Sequence, residues 1–132
     1  MIVCDTFALV TLVNSDDRDY APVRAAAERA GKPYVVPTAT LGEVAYFVET
    51  RMKPFVLEAF LADLDARRYN LDAGDTDFAR IRHLVRRYAD LRLGLVDVAV
   101  IACAERRGCP VLTLDRRHFD VVAREGTIEV LP

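Results

Sequence analysis

The chain has 132 residues, 52% of them hydrophobic and 29% charged, a balance that excludes disordered and fibrous classes and suits one domain with its own core. Its longest charge-free stretches, Thr6 to Ser15 and Pro33 to Gly42, fall far short of the roughly 20 apolar residues that span a bilayer. With Asp5 so early and no basic leader, the expectation is a cytoplasmic protein without a membrane segment or secretory signal. Eighteen basic against twenty acidic residues give a formal charge of −2, so any polyanion must be met by local cations rather than by bulk charge.

Strand-like and helix-like segments alternate throughout, which is an α/β pattern. In chain order, Ile2 to Cys4 reads as a strand, and Thr6 to Val13 as a short apolar helix. A second helix is expected to start in the acidic stretch Asp16, Asp17, Asp19 and to run to about Ala30, where Gly31 ends it. Tyr34 to Val36 is the second strand. Ala39 to Thr50 follows as a helix with Leu41, Val44, Ala45 and Val48 on one face. Pro54 opens another helix, whose apolar stripe is Val56, Leu57, Phe60, Leu61 and Leu64.

Tyr69 to Leu71 is a weak third strand. The helix from about Asp75 to Tyr88 is expected to bury Phe78, Ile81, Leu84, Val85 and Tyr88, leaving Arg80, Arg82, Arg86 and Arg87 as a solvated face. Val96 to Arg107 is apolar almost all round and reads as a buried helix. Val111 to Leu114 and Ile128 to Val130 complete the strands, with Arg116 to Phe119 between them as a short polar turn. The short β-branched runs suit the buried interior of a central parallel sheet of four to five strands with helices on both faces.

Four acids hold positions that matter in such a sheet. Asp5 follows the first strand, Asp115 follows the strand that starts at Val111, Asp97 lies in the first turn of the most apolar helix, and Glu43 sits among apolar residues near a helix start. Carboxyl ends of parallel strands share one edge with the amino ends of the next helices, and ligands bind there where the strand order reverses. Taken singly, each Asp is explained as a helix cap. Together, carboxylates at about 4 Å repel by around 4 kcal/mol at an effective dielectric near 20, so a cluster needs protons, basic partners or a cation. Hard oxygen donors without Cys or His point to Mg²⁺ or Mn²⁺, and such ions support phosphodiester hydrolysis.

At these residues the sequence resembles the PIN-domain ribonucleases, especially the VapC-type toxins of bacterial toxin–antitoxin pairs. The matched segments are Ile2 to Thr6, Pro37 to Val44, Asp90 to Gly108 and Leu112 to Phe119, and the match covers nearly the whole chain as a single domain. The resemblance implies a single-stranded-RNA endonuclease with a Mg²⁺ or Mn²⁺ site at Asp5, Glu43, Asp97 and Asp115, with Thr6 and Thr113 as hydroxyls beside it. It further implies a homodimer and a cognate VapB-like antitoxin that wraps the helices from Ala39 to Ala66. Phe55 and Phe60 are candidates to line a groove for such an amphipathic segment, or else they are core.

Arg92, Arg116 and Arg117 are the cations nearest these acids in sequence and are expected to hold RNA phosphates. Other readings remain at this level. His83 and His118 would serve a metal-independent acid–base nuclease, and a PIN-like module that only binds RNA or protein would keep the fold without turnover. Cys4, Cys103 and Cys109 form no CxxC pair and read as reduced thiols. A receiver-like phosphoryl-transfer protein would want a Lys after a late strand, and Lys32 and Lys53, the only lysines, are misplaced for it.

Overall fold

The structure, a computed structural model, describes residues 1–132. Its sheet has five parallel strands in the order β3-β2-β1-β4-β5: β1 (Ile2–Cys4), β2 (Tyr34–Pro37), β3 (Tyr69–Asp72), β4 (Val111–Leu112) and β5 (Val130–Leu131). The chain steps outward from β1 to β3, then returns to lay β4 on the other side of β1, so the order reverses between β1 and β4. No helix is long and apolar enough to cross a membrane.

Alternation along the strands divides the core in two. Ile2, Cys4, Val36 and Leu112 point to one face, where α1 (Thr6–Leu12), α2 (Tyr20–Ala30), α3 (Leu41–Arg51) and α4 (Pro54–Asp65) cover them with Leu9, Val23, Val44, Val48 and Phe60. Val3, Val35 and Val111 point to the other, under α5 (Phe78–Arg87), α6 (Leu95–Arg107) and α7 (Arg116–Ala123), which supply Leu84, Ile101, Phe119 and Val122. The two-residue period of a strand produces this division directly.

Several elements differ from expectation. The acids at Asp16 to Asp19 do not start α2. The Asp16 amide donates to Asn14 Oδ1 at 3.3 Å and the Asp19 amide to Asp17 Oδ1 at 2.8 Å, so these residues turn the chain first, and the helix begins at Tyr20. Thr38–Thr40 is a 3₁₀ turn ahead of α3. The expected polar turn at Arg116 is the helix α7, anchored by the buried Phe119 and Val122. Within α5, Phe78 and Val85 are exposed rather than buried, and so is Leu61 in α4, while Phe60 belongs to the core.

The basic face of α5 is only partly solvated. Arg80 donates twice to Glu105, at 2.6 and 2.8 Å, and Arg87 pairs with Glu125 at 2.7 Å; Arg82, Arg86 and His83 are exposed. A stronger strut lies at the C-terminal end of α6. Arg106 donates to Asp77 at 2.7 Å and to Asp72 at 2.6 Å, and Arg107 donates to Asp72 at 2.7 Å. Burial works against the Asp72 carboxylate, but the two guanidinium groups outweigh it and hold its pKa below the usual value.

Candidate active site

The four acids meet at the point where the strand order reverses. Asp5 leaves β1 and Asp115 follows β4, the strand beside it, while Glu43 comes from the first turn of α3 and Asp97 from the first turn of α6. The site therefore draws carboxylates from both faces of the sheet, as the strand-edge geometry requires.

Capping does not account for Asp5. It precedes α1, yet its side chain makes no cap hydrogen bond. Instead it is buried, 2% exposed, and Oδ2 accepts a hydrogen bond from the Thr113 hydroxyl at 2.8 Å. Burial pushes its pKa up to about 6; the neighbouring Asp97 and Asp115 add to the rise, and bonds from Thr113 and the Thr6 amide oppose it. Asp97 is raised as well, first by burial and then by the charges of Asp115 and Glu43, against the Gly94 amide and His118. These mutual effects identify one electrostatic cluster.

The other acids are held individually. Thr6 Oγ1 donates to Glu43 Oε1 at 2.9 Å, so this exposed carboxylate has a hydroxyl partner rather than an apolar burial. The Gly94 amide lies 3.4 Å from Asp97 Oδ2, a weak reach back across the helix start. Asp115 does cap α7 weakly, with the His118 amide at 3.4 Å, and its Oδ2 lies 2.9 Å from His118 Nδ1. His118 Nδ1 also stands 3.8 Å from Asp97. No Lys or Arg forms an ion pair with any of the four acids; His118 is the only basic side chain within ion-pair distance of them.

The donor set suits a hard divalent cation: clustered carboxylate oxygens, a buried anion whose charge is penalised, and no guanidinium to neutralise it. As the side chains stand, no three His, Cys, Asp or Glu residues close into a ligating group. His118 and the two threonines hold three of the acids by hydrogen bonds instead.

The expected phosphate-binding arginines divide. Arg117 and Arg92 are exposed and make no ion pair, Arg92 in the left-handed backbone region at φ 52° two residues before Gly94. Arg116 is committed elsewhere: it pairs with Asp120 at 3.0 Å and donates to the carbonyls of Val130 and Pro132 at 3.4 and 3.1 Å, fastening β5 to α7. Phe7 and Arg51, not singled out from the sequence, border an open cavity of about 740 Å³ together with Asp115. The four-residue spacing of Glu43, Phe47 and Arg51 along α3 was the available signal.

The PIN domain profile matches residues 2–125 of the chain. The chain is 30% identical over 127 residues to Ribonuclease VapC26 of Mycobacterium tuberculosis, covering 95% of this chain and 94% of that protein. Among solved structures it is similar to M. tuberculosis VapC20, described as a Sarcin-Ricin loop cleaving toxin, with a TM-score of 0.79, 18% identity and full coverage of both chains. VapBC2 from Rickettsia felis bound to a DNA fragment from its promoter aligns at a TM-score of 0.67 and 18% identity, over 98% of this chain and 97% of the other. FitAcB from Neisseria gonorrhoeae aligns at 0.64 and 15% identity, over 100% and 97%. The chain belongs to the PIN-domain family, and within it to the VapC type.

Proposed function

We propose that this chain is a Mg²⁺- or Mn²⁺-dependent endoribonuclease that cuts single-stranded RNA in the cytoplasm as the toxin of a toxin–antitoxin pair. The observation that carries the reading is the carboxylate cluster at the reversal of strand order, with Asp5 raised to about 6 and no arginine or lysine to balance it. The ribonuclease named among its relatives and the RNA-cleaving toxin among its structural neighbours support the same activity.

Asp5, Glu43, Asp97 and Asp115 would hold the ion. When bound, it would lower the pKa of a water to make a nucleophile and neutralise charge on the phosphodiester. Thr113 fixes the orientation of Asp5, and Thr6 does the same for Glu43. Arg117 and Arg92, both exposed, hold flanking phosphates by charge-assisted bonds.

The test is sequencing of RNA ends produced by the wild type and by Asp5→Asn, with Mn²⁺ and with chelator. Cleavage lost in the variant and in chelator is the expected result; equal cleavage by both proteins overturns the site. One specific contact favours a second reading: His118 Nδ1 lies 2.9 Å from Asp115, the geometry of an oriented acid–base group. Activity that survives chelation but not His118→Gln would select it. RNA binding without cleavage in any metal would leave a non-catalytic module.

For partners, the exposed Phe55 and Leu61 on α4 offer apolar contacts to an amphipathic segment of a VapB-like antitoxin. Phe78 and Leu95, exposed beside one apolar cavity of about 220 Å³ between α5 and α6, are the matching proposal for a homodimer contact. Light scattering on Leu95→Glu, expected to run as a monomer, checks the latter.

A further inference from the structure

We propose that Phe7, Tyr46, Phe47 and Arg51 form a strip that stacks a base and grips a phosphate of the nucleotide beside the scissile bond, an assignment that rests on the nuclease reading above. The strip starts at the carboxylates themselves. Phe7 follows Asp5 and Thr6 directly and is 41% exposed, although Ala8, Leu9 and Val10 after it are buried. Its ring lies 5.2 Å from that of Phe47, and Tyr46, 62% exposed, meets Phe47 edge-on at 5.6 Å.

On α3, Glu43, Phe47 and Arg51 recur every fourth residue, so carboxylate, aromatic ring and guanidinium lie one above the next along one face. From Glu43 to Arg51 the helix rises about 12 Å, carrying the row away from the acids. The Arg51 guanidinium lies over the Phe47 ring at 4.4 Å. Unlike Arg24, Arg80, Arg87, Arg106 and Arg107, it pairs with no carboxylate. A guanidinium stacked on a ring still presents its N–H edge to an anion.

Phe7, Arg51 and Asp115 border one cavity, so a strand leaving the acids enters the space these side chains flank. Asp17 and Asp19 line the same cavity, with Arg18 beside Asp19 at 3.4 Å. Their charge repels phosphate, which places the backbone of the strand on the Arg51 side. Aromatic rings bearing a base, joined to a cation tracking the backbone, are the elements of single-strand recognition; the rings accept any base because every base has a π-face.

The probe is a single-stranded RNA carrying 2-aminopurine at successive positions, titrated in chelator so that it is bound but not cut, with anisotropy recording binding in parallel. The expected result is quenching at one or two adjacent positions in the wild type, lost in Phe7→Leu and in Tyr46→Leu. Each leucine keeps apolar packing, and circular dichroism and Tm verify the fold. Binding weakens roughly tenfold or more per lost stack, Arg51→Ala lowers the slope of log affinity against log salt by about 1, and KM rises more than kcat falls.

RNA bound without quenching at any position, or quenching unchanged in Phe7→Leu, overturns the strip while cleavage that depends on Asp5 keeps the nuclease reading. An amphipathic peptide that shields Phe7 and Tyr46 where no base is quenched would assign the face to a protein and overturn the proposal. Absence of both RNA binding and Asp5-dependent cleavage sinks the two readings together.

Discussion

The Thr113 hydroxyl donates to Oδ2 of Asp5 at 2.8 Å, inside the core and across 108 residues of sequence. The bond ties the ends of two adjacent parallel strands and fixes which way the buried carboxylate faces. Thr113 is fully buried and its Oγ1 also accepts from the Asp115 amide at 3.0 Å. Thr113→Val keeps the shape and removes both bonds. We expect activity to fall about 10- to 100-fold, the usual effect of losing a group that orients a ligand. The pH profile of cleavage should also move upward, because the bond lowers the pKa of Asp5. A profile left in place would show that the hydroxyl serves packing alone.

Asp5 makes the metal-free protein's stability depend on pH. Its folded pKa is about 6 against an ordinary aspartate value of 3.8, so the fold holds this proton more tightly than the unfolded chain does. The resulting stabilisation is complete below pH about 4 and is lost as pH rises through about 6. In chelator, Tm should therefore drop across this interval, and Asp5→Asn should flatten the drop and melt a few degrees higher at pH 7. Mn²⁺ should raise the wild-type Tm more at pH 7 than at pH 5. Differential scanning fluorimetry reads all three, and parallel curves for the two proteins would contradict the assignment.

Arg106 stabilises from a distance. Removing it in Arg106→Ala leaves Asp77 without its cation and Asp72 with Arg107 alone, both acids being buried. An uncompensated buried carboxylate costs about 3 kcal/mol, readable as a lower urea midpoint with unchanged m.

Arg116 and Arg117, neighbours in sequence, should separate in RNA binding. Arg117→Ala should reduce the salt slope by about 1, since its side chain is exposed and makes no ion pair. Arg116→Ala should lower Tm instead, by releasing Asp120 and the carbonyls of Val130 and Pro132. Fluorescence anisotropy at several salt concentrations, with melting curves, distinguishes the two roles.

The inner strands were legible because β-branched runs such as Ile2-Val3-Cys4 and Tyr34-Val35-Val36 have few other uses, and both flank the acids' edge of the sheet. That Asp5, Glu43, Asp97 and Asp115 share one edge followed from the same logic. Helix α7 was hidden because Arg116, Arg117 and His118 look like a polar turn until Phe119 and Val122 are seen to bury the opposite side. The partners of Arg80, Arg87 and Arg106 were hidden for another reason. Their carboxylates lie 25 to 38 residues away, and no local period records such a pairing. The bond from the Thr6 hydroxyl to Glu43 spans 37 residues and was hidden in the same way.

The reversal of strand order sets the moment in synthesis at which the carboxylate cluster can first exist. Asp5 emerges early, but β4 and Asp115 come more than a hundred residues later, and the Thr113 bond to Asp5 cannot form before them. A nascent chain cut short ahead of that point carries only part of the cluster. A cell making this protein thus meets an assembled site only after β4 and Asp115 have left the ribosome.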